Sequence, residues 1–387
     1  MNRSGLGIRI CGDWAATTGL ANAARRLAMA LLHAGVDLTV AEFHSGAPRL
    51  PSLFPEELRR LQGTSFHPVS LWTLNINELN QVSDNELVLS PDGANIATWY
   101  WELPTIPRWM HPQFARVSEV WTPTQFVQRA MIRYTDKPVR VLPPVVPVFQ
   151  ADADIPRLRD RLGLPRDRTI FLSSFDFNSA VSRKNPLGVL EAFSRAFGPS
   201  SKDGPFVVIK AINVPMDQAF GRRLAQAVDG VNGALIGRNM TYQELADLFC
   251  ACDVYVSLHR SEGFGLGLAE AMALEKPVIA TAYSGNVDFM SVDNSCLVGY
   301  RLRAIEPSDH VDNPGIEGTY ETGALWAEPD LDQAAEWMVL LAGDSEERHR
   351  IGTAGKRTIS ARYSEQAVGT SAAAYLNKIY DELSISC

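Results

Sequence analysis

Apolar residues along this chain fall into two recurring patterns: short unbroken runs, and longer stretches in which they return every three to four positions. A run over 7–11 reads as a buried strand. Beyond a loop from Gly12 to Gly19, helical spacing over 20–33 predicts a helix, which Gly35 ends, and 36–40 is the next strand. This strand, loop, helix, strand order is the signature of a parallel sheet with crossover helices. Between 43 and 74 the prolines at 48, 51, 55 and 68 break every clean period, so that stretch predicts no topology. Strands follow over 86–90, 97–101, 119–122 and 139–142, with a helix over 125–132.

Pro143, Pro144, Pro147 and Pro156 then favour an extended connector, because proline continues neither a helix nor a central strand. The alternation restarts beyond it. Strands are predicted over 169–173, 206–212, 234–236, 254–258 and 278–281, and helices over 186–197, 218–228, 242–250 and 266–274. The expected organisation is therefore a first domain over 1–147, a second over 148–363, and a terminal helix over 364–387 able to pack back on the first domain. Each domain is α/β and Rossmann-like, the two facing each other across a cleft. No repeat of 20 to 50 residues interrupts the pattern.

Composition changes this picture little. The chain has 387 residues, 46% hydrophobic and 21% charged, ordinary for globular domains with substantial cores. Every apolar stretch is interrupted by charge before it is long enough to cross a bilayer, and a cytoplasmic chain without a signal segment is expected. Cys11, Cys250, Cys252, Cys296 and Cys387 form neither a disulfide framework nor a metal cluster, so they read as reduced thiols. The net charge of −8 argues against nucleic acid as a partner. That acidity sits in the second half: residues 1–147 carry 13 Lys and Arg against 12 Asp and Glu, residues 148–387 carry 23 against 32. A near-neutral first half tolerates peripheral contact with a membrane surface, and oligomeric state stays open.

The chemistry concentrates in Asp253-Val-Tyr-Val-Ser-Leu-His-Arg-Ser-Glu-Gly-Phe-Gly-Leu-Gly-Leu-Ala-Glu-Ala-Met272. A strand runs into Gly263, Gly265 and Gly267 and then into a helix, whose free N–H groups and partial positive charge make a cradle for phosphate. Glu270, about a turn inside that helix, can accept hydrogen bonds from vicinal hydroxyls, and Glu262 stands at the strand's carboxyl end, where ligands bind in open α/β sheets. Eight helical residues would separate these glutamates by about 12 Å of rise. A retaining glycosidase needs its carboxyls about 5 to 5.5 Å apart, so one contact to sugar and one to ribose fits better. His259, if the strand alternates, points away from the neighbours of Glu262.

Two glutamates in E-x7-E spacing around Gly-Phe-Gly after a strand resemble the signature of the family 4 retaining glycosyltransferases, which share the two-domain GT-B fold. The resemblance extends through Lys276-Pro-Val-Ile-Ala280, Ser284-Gly-Asn286 and Trp326-Ala-Glu-Pro-Asp330. It also reaches Glu119-Val-Trp-Thr-Pro-Thr-Gln-Phe126 and Trp99-Tyr-Trp-Glu-Leu-Pro104, which are similar to a bacterial branch building polysaccharide and lipopolysaccharide. It implies that Glu270 binds the donor ribose while Glu262 and the backbone of Gly263, Phe264, Gly265 and Leu266 hold the sugar and diphosphate. Family members place a basic pair after the first strand of the second domain, here Arg183 and Lys184, which with Glu262 form the expected catalytic set. The arginine that usually precedes the lysine has no match at Phe175-Asp-Phe-Asn178, so Arg183 or Arg260 would replace it. Lys210 at a strand end, and Thr18 and Gly19 in the first domain's loop, are further donor-side candidates. Glu102 and Asp13 are the acceptor-side candidates. Trp99, Trp101, Trp109 and Trp121 read as core more than as a sugar platform.

The resemblance implies a metal-independent hexosyltransferase with no cofactor, moving sugar from a nucleotide-diphosphate donor to a hydroxyl of a glycan or lipid-linked glycan at the inner face of the plasma membrane. A dinucleotide-dependent oxidoreductase would require Gly-x-Gly-x-x-Gly after an early strand, which Gly12 to Gly19 does not supply. A non-catalytic nucleotide-sugar- or glycan-binding relative stays open.

Overall fold

The computed structural model describes residues 7–65, 67–82, 93–147, 154–199, 204–216, 218–312 and 318–385. The chain divides into two compact units, one of Met1–Val146 with Ala361–Cys387 and the other of Pro147–Ser360.

The first unit is built on six parallel strands: β1 (Gly7–Gly12), β2 (Asp37–Glu42), β3 (Val69–Trp72), β4 (Ala94–Thr98), β5 (Glu119–Thr122) and β6 (Val139–Val141), in the order β2-β1-β3-β4-β5-β6. Ile8, Ile10 and Leu71 are fully buried, as residues of a sheet covered on both faces are. β3 emerges from the proline-rich stretch that predicts no topology, pairing Ile8 with Val69 and Cys11 with Trp72. The strand expected over 97–101 ends instead at Thr98. The Trp99 amide still donates to the Trp121 carbonyl of β5 at 2.9 Å, but the Tyr100 amide donates to Asn75 Oδ1 rather than to a neighbouring strand, so Trp101 and Glu102 lie past the sheet's carboxyl edge. Of the four tryptophans only Trp109 is exposed; Trp99, Trp101 and Trp121 are core. The strand expected over 86–90 lies outside the described residues.

The terminal helix Glu365–Ile385 belongs to this unit. Val368, Ala372, Leu376 and Ile379, spaced to fall on one helical face, enter the core alongside Leu27, Ala28 and Leu31 of the helix Gly19–His33. The helices approach so closely at Gly369 that a Cβ there would run into the Ala30 carbonyl.

The second unit repeats the plan with β7 (Ile170–Asp176), β8 (Phe206–Ile212), β9 (Gly233–Ile236), β10 (Val254–Ser257), β11 (Val278–Thr281) and β12 (Cys296–Val298), ordered β12-β11-β10-β7-β8-β9 and parallel throughout. The chain builds outward from β7 to β9, then returns to lay β10 on the other side of β7. The β7/β10 boundary is thus the topological switch point, outside which ligands of open α/β sheets bind. Unanticipated from sequence are β12, the antiparallel hairpin of β13 (Tyr300–Ala304) and β14 (Leu325–Pro329), and the helices Leu331–Gly343 and Ser345–Arg362. Cys11, Cys250, Cys252 and Cys296 are free and buried, and burial raises each thiol's pKa. No helix among the described residues is long and apolar enough to cross a membrane.

Replacing Gly369 by Ala should cost about 1–3 kcal/mol, because backbone must move to admit the methyl. Gly343→Ala, where a Cβ meets open space, should stay within about 0.5 kcal/mol. Urea unfolding midpoints measure both, and equal midpoints would contradict the packing described.

Candidate functional site

The loops leaving β7 and β10 carry most of the predicted residues to one place. After β7, a four-residue helix, Val181–Lys184, is bracketed by Ala180 and Asn185, both in the left-handed region at φ 62° and 52°. Such backbone is costly for residues other than glycine and persists only where surroundings enforce it. The enforcement comes from the β10 loop: Asn185 Nδ2 donates to the Leu258 carbonyl at 2.9 Å, and the Arg260 amide donates to the Arg183 carbonyl at 2.7 Å.

Glu262 is the meeting point. Lys184 Nζ lies 2.6 Å from its Oε1, and Arg183 Nη1 is 3.3 Å from its Oε2. Burial alone would raise this carboxyl, but the Lys184 and Arg183 charges outweigh it and hold the pKa at about 2. Lys184 keeps part of its surface exposed, whereas Arg183 is only 3% exposed and donates to the carbonyls of Ser261 and Ser179 at 2.7 and 2.9 Å. Arg183 therefore joins Glu262 to the carbonyls of both loops.

Arg260 is likewise committed. Its Nε and Nη2 pair with both Glu328 oxygens at 2.9 and 3.0 Å, and Nη1 donates to the Ser182 carbonyl. His259, expected to face away, is fully buried within the field of this cluster. Burial lowers its pKa to about 4, with Glu262 opposing and Lys184 and Arg183 adding to the shift, so the ring is neutral at physiological pH.

The glycines have separate tasks. Gly265, at φ 95°, is the N-cap of the helix Leu266–Ala273, and no side chain caps that end. The helix therefore opens on backbone N–H groups with their partial positive charge. Gly267 instead lets the helix settle on the sheet, since a Cβ would meet the Tyr255 hydroxyl at 2.7 Å. Phe264 is buried and packs on Phe289 with ring centroids 5.0 Å apart. Glu270 lies on the same helix and is partly exposed.

One contributor escapes any motif reading. The loop after β11 folds over Glu262: the Glu262 amide donates to Ser284 Oγ at 2.7 Å, and the Gly285 amide donates to the Glu262 carbonyl at 2.8 Å. Ser284 is left-handed at φ 76°, and a Cβ on Gly285 would strike the Gly263 carbonyl. The signal was the Ser284-Gly-Asn286 tripeptide, legible as a resemblance but not as a contact.

Lys210, expected at a strand end, lies inside β8, which runs on to Ile212; it is 4% exposed, with its ammonium on the Ala211 carbonyl at 3.3 Å, and burial pulls its pKa down to about 8. The remaining candidates lie in the first unit. Asp13 is buried, accepting from the Ser45 amide and hydroxyl at 2.8 and 2.7 Å and facing Arg49 at 3.2 Å. Thr18 caps the helix beginning at Gly19 by accepting from the Ala21 amide at 3.2 Å. Glu102 is half-buried beyond β4.

Residues 154–294, which contain this whole cluster, match the family model described as Glycosyl transferases group 1. Among solved structures, the chain is similar to Anabaena HepE in complex with UDP and glucose, with TM-score 0.64, 14% identity, and coverage of 97% of this chain and 100% of that one. It is also similar to sucrose-phosphate synthase from Thermosynechococcus elongatus, with TM-score 0.66, 16% identity, and coverage of 99% and 100%. A glycosyltransferase from Rickettsia africae gives 0.67, 12%, 97% and 99%. Comparison with curated proteins gives no match. The likeness over nearly the whole chain shows the fold, GT-B, with two α/β units.

The Glu262 pairing has a pH signature. Above pH 4.5, the ordinary value for the group, the carboxylate is charged in folded and unfolded chains and its ion pairs contribute fully. As pH falls from 4.5 towards 2, the unfolded chain takes up the proton first and this stability is lost. Glu262→Gln should show a shallower decline of unfolding free energy over that window. An identical slope in wild type and variant would contradict the pairing.

Proposed function

We propose that the chain is a retaining nucleotide-sugar-dependent glycosyltransferase of the family 4 kind, transferring a hexose from a nucleoside diphosphate to a hydroxyl of a glycan or lipid-linked glycan. The observation that carries this reading is the convergence at the β7/β10 switch point. A helix N-terminus without a side-chain cap, a partly exposed Lys184 and two glutamates on either side of it all meet there. The matched segment 154–294 supports it, as do the neighbouring HepE structures, whose descriptions name UDP, glucose and UDP-glucose.

In this mechanism the diphosphate lies against the N–H groups of Leu266 and Gly267, and the ribose hydroxyls donate to Glu270. Lys184 moves from Glu262 to the phosphate oxygen that departs, stabilising the charge that develops as the anomeric C–O bond breaks. The acceptor hydroxyl attacks the same face of the sugar and passes its proton to that phosphate oxygen, so no enzyme-bound glycosyl intermediate forms. Glu262, freed on one oxygen and anchored on the other by Arg183, accepts from sugar hydroxyls. Lys210 supplies a further cation on the donor side. No metal is required, because Lys184 and the helix terminus provide the positive charge. Transfer takes place in the cytoplasm, at the inner membrane face when the acceptor is lipid-linked.

Sugar release from a panel of UDP-, GDP- and ADP-sugars, with glycan acceptors and with EDTA present, tests this reading. One donor should turn over at an unchanged rate in EDTA. Lys184→Ala should lower kcat about 100- to 1000-fold, the scale of losing one transition-state donor, and Glu270→Ala should chiefly raise the donor KM. Tight donor binding without transfer to any acceptor would favour a binding protein instead.

A further inference from the structure

The β13–β14 hairpin lies beyond the family-matched segment, yet its charges reach back to the loops that form the site. Its register sets Arg303 opposite Trp326 and Arg301 opposite Glu328. Glu328 is the hub: Oε2 accepts from Arg260 Nε at 2.9 Å and Arg303 Nε at 2.7 Å, and Oε1 accepts from Arg260 Nη2 at 3.0 Å. Arg303 spends its other two nitrogens on Asp309, each 2.7 Å from a carboxylate oxygen. Trp326, 1% exposed, lies beneath both guanidinium groups, 5.6 Å from Arg260 and 5.2 Å from Arg303.

This network ends on backbone at both site loops. Arg260 Nη1 donates to the Ser182 carbonyl and the Ser182 hydroxyl to the Asp309 carbonyl, so residues 182–184 are held from two sides. The Ala327 amide donates to the Arg260 carbonyl at 2.9 Å, which ties the strand bearing Glu328 to the loop bearing Glu262. None of these side chains pairs with Lys184 or Glu262 themselves. They fasten together the two segments whose separation sets the 2.6 Å Lys184–Glu262 contact. A bidentate arginine–carboxylate pair suits that task, because its planar geometry fixes orientation as well as distance. The local helix is too short to do so alone, being one turn between two left-handed residues.

We infer that Glu328 is a positioning residue for the reaction proposed above: acting through Arg260, it holds Lys184 where the leaving diphosphate will be, and so governs turnover more than donor affinity. Ribose and helix-terminus contacts lie on the helix Leu266–Ala273, which the network does not touch, so ground-state binding survives its loss while the lysine's aim does not.

The test uses the full chain with Glu328→Gln, which keeps the side chain's shape and removes its charge, and Glu328→Asp, which keeps the charge. Arg301→Ala, at an exposed position facing Glu328 across the hairpin, is the control. Steady-state turnover of the donor should show kcat reduced 10- to 100-fold in Glu328→Gln with KM changed less than threefold. Glu328→Asp should recover part of that loss, and Arg301→Ala should match wild type. A second readout needs no donor: the part of the acid decline of unfolding free energy that Glu262→Gln removes should be smaller in a Glu328→Gln background than in wild type as Lys184 loosens, a comparison that cancels the lowered titration of Glu328 itself. Unchanged kcat, or a loss confined to KM, overturns the inference. If no nucleotide sugar is turned over by wild type, the transferase reading fails separately; an unaltered Glu262 contribution to the acid profile in the Glu328→Gln background still overturns the positioning role. Should Glu328→Gln not fold, Glu328→Asp carries both readouts, with a smaller kcat loss expected and wild-type values in both contradicting it.

Discussion

The second unit is organised around one buried charge. Glu262 is removed from water, and an isolated carboxylate there would lose its charge rather than bear the cost of desolvation. It stays ionised because Lys184 and Arg183 reach it from a loop 78 residues away in sequence. Such a pairing is worth its desolvation only when geometry is tight and the remaining groups are hydrogen-bonded. That requirement accounts for features otherwise hard to explain. Ala180, Asn185 and Ser284 hold left-handed backbone, Gly285 lies against the Gly263 carbonyl, and Arg183 is given over to carbonyls of the two loops it joins.

The sheet makes this economical. At the β7/β10 switch point two loops leave adjacent strands whose connections run in opposite directions along the sheet, the kind of boundary at which ligands of open α/β sheets bind. One loop brings cations and the other a carboxylate followed by a helix N-terminus. The backbone of both loops is fastened by these contacts, so the reorganisation left for the proposed chemical step is chiefly that of the Lys184 side chain. The first unit presents an equivalent boundary at β1/β3, but there Asp13 is taken by Ser45 and Arg49, and Thr18 caps its helix. Similar topology thus carries different local chemistry in the two units.

Much of the second unit was legible in the sequence because its information is local. Helix 186–197 and strands 206–212 and 278–281 follow from apolar runs bounded by polar turns, and the glutamate–glycine segment states its own strand, turn and helix. What was not legible depends on partners distant in sequence. Whether Arg260 faces a ligand or Glu328 is decided 68 residues away. β10 ends at Ser257, so strand alternation does not extend to His259, which follows the loop. β3 was hidden among prolines, and the 97–101 segment leaves the sheet after Thr98 because Asn75 accepts its next amide but one.

The proposed reaction depends above all on this switch point binding a nucleoside diphosphate through Lys184 and Glu270. Calorimetric titration of the whole protein with UDP, GDP and ADP in magnesium-free buffer examines it without reference to any acceptor. One of the three should bind one-to-one, weakened by Lys184→Met and by Glu270→Ala independently. No binding by any of them, or binding indifferent to both substitutions, would contradict it.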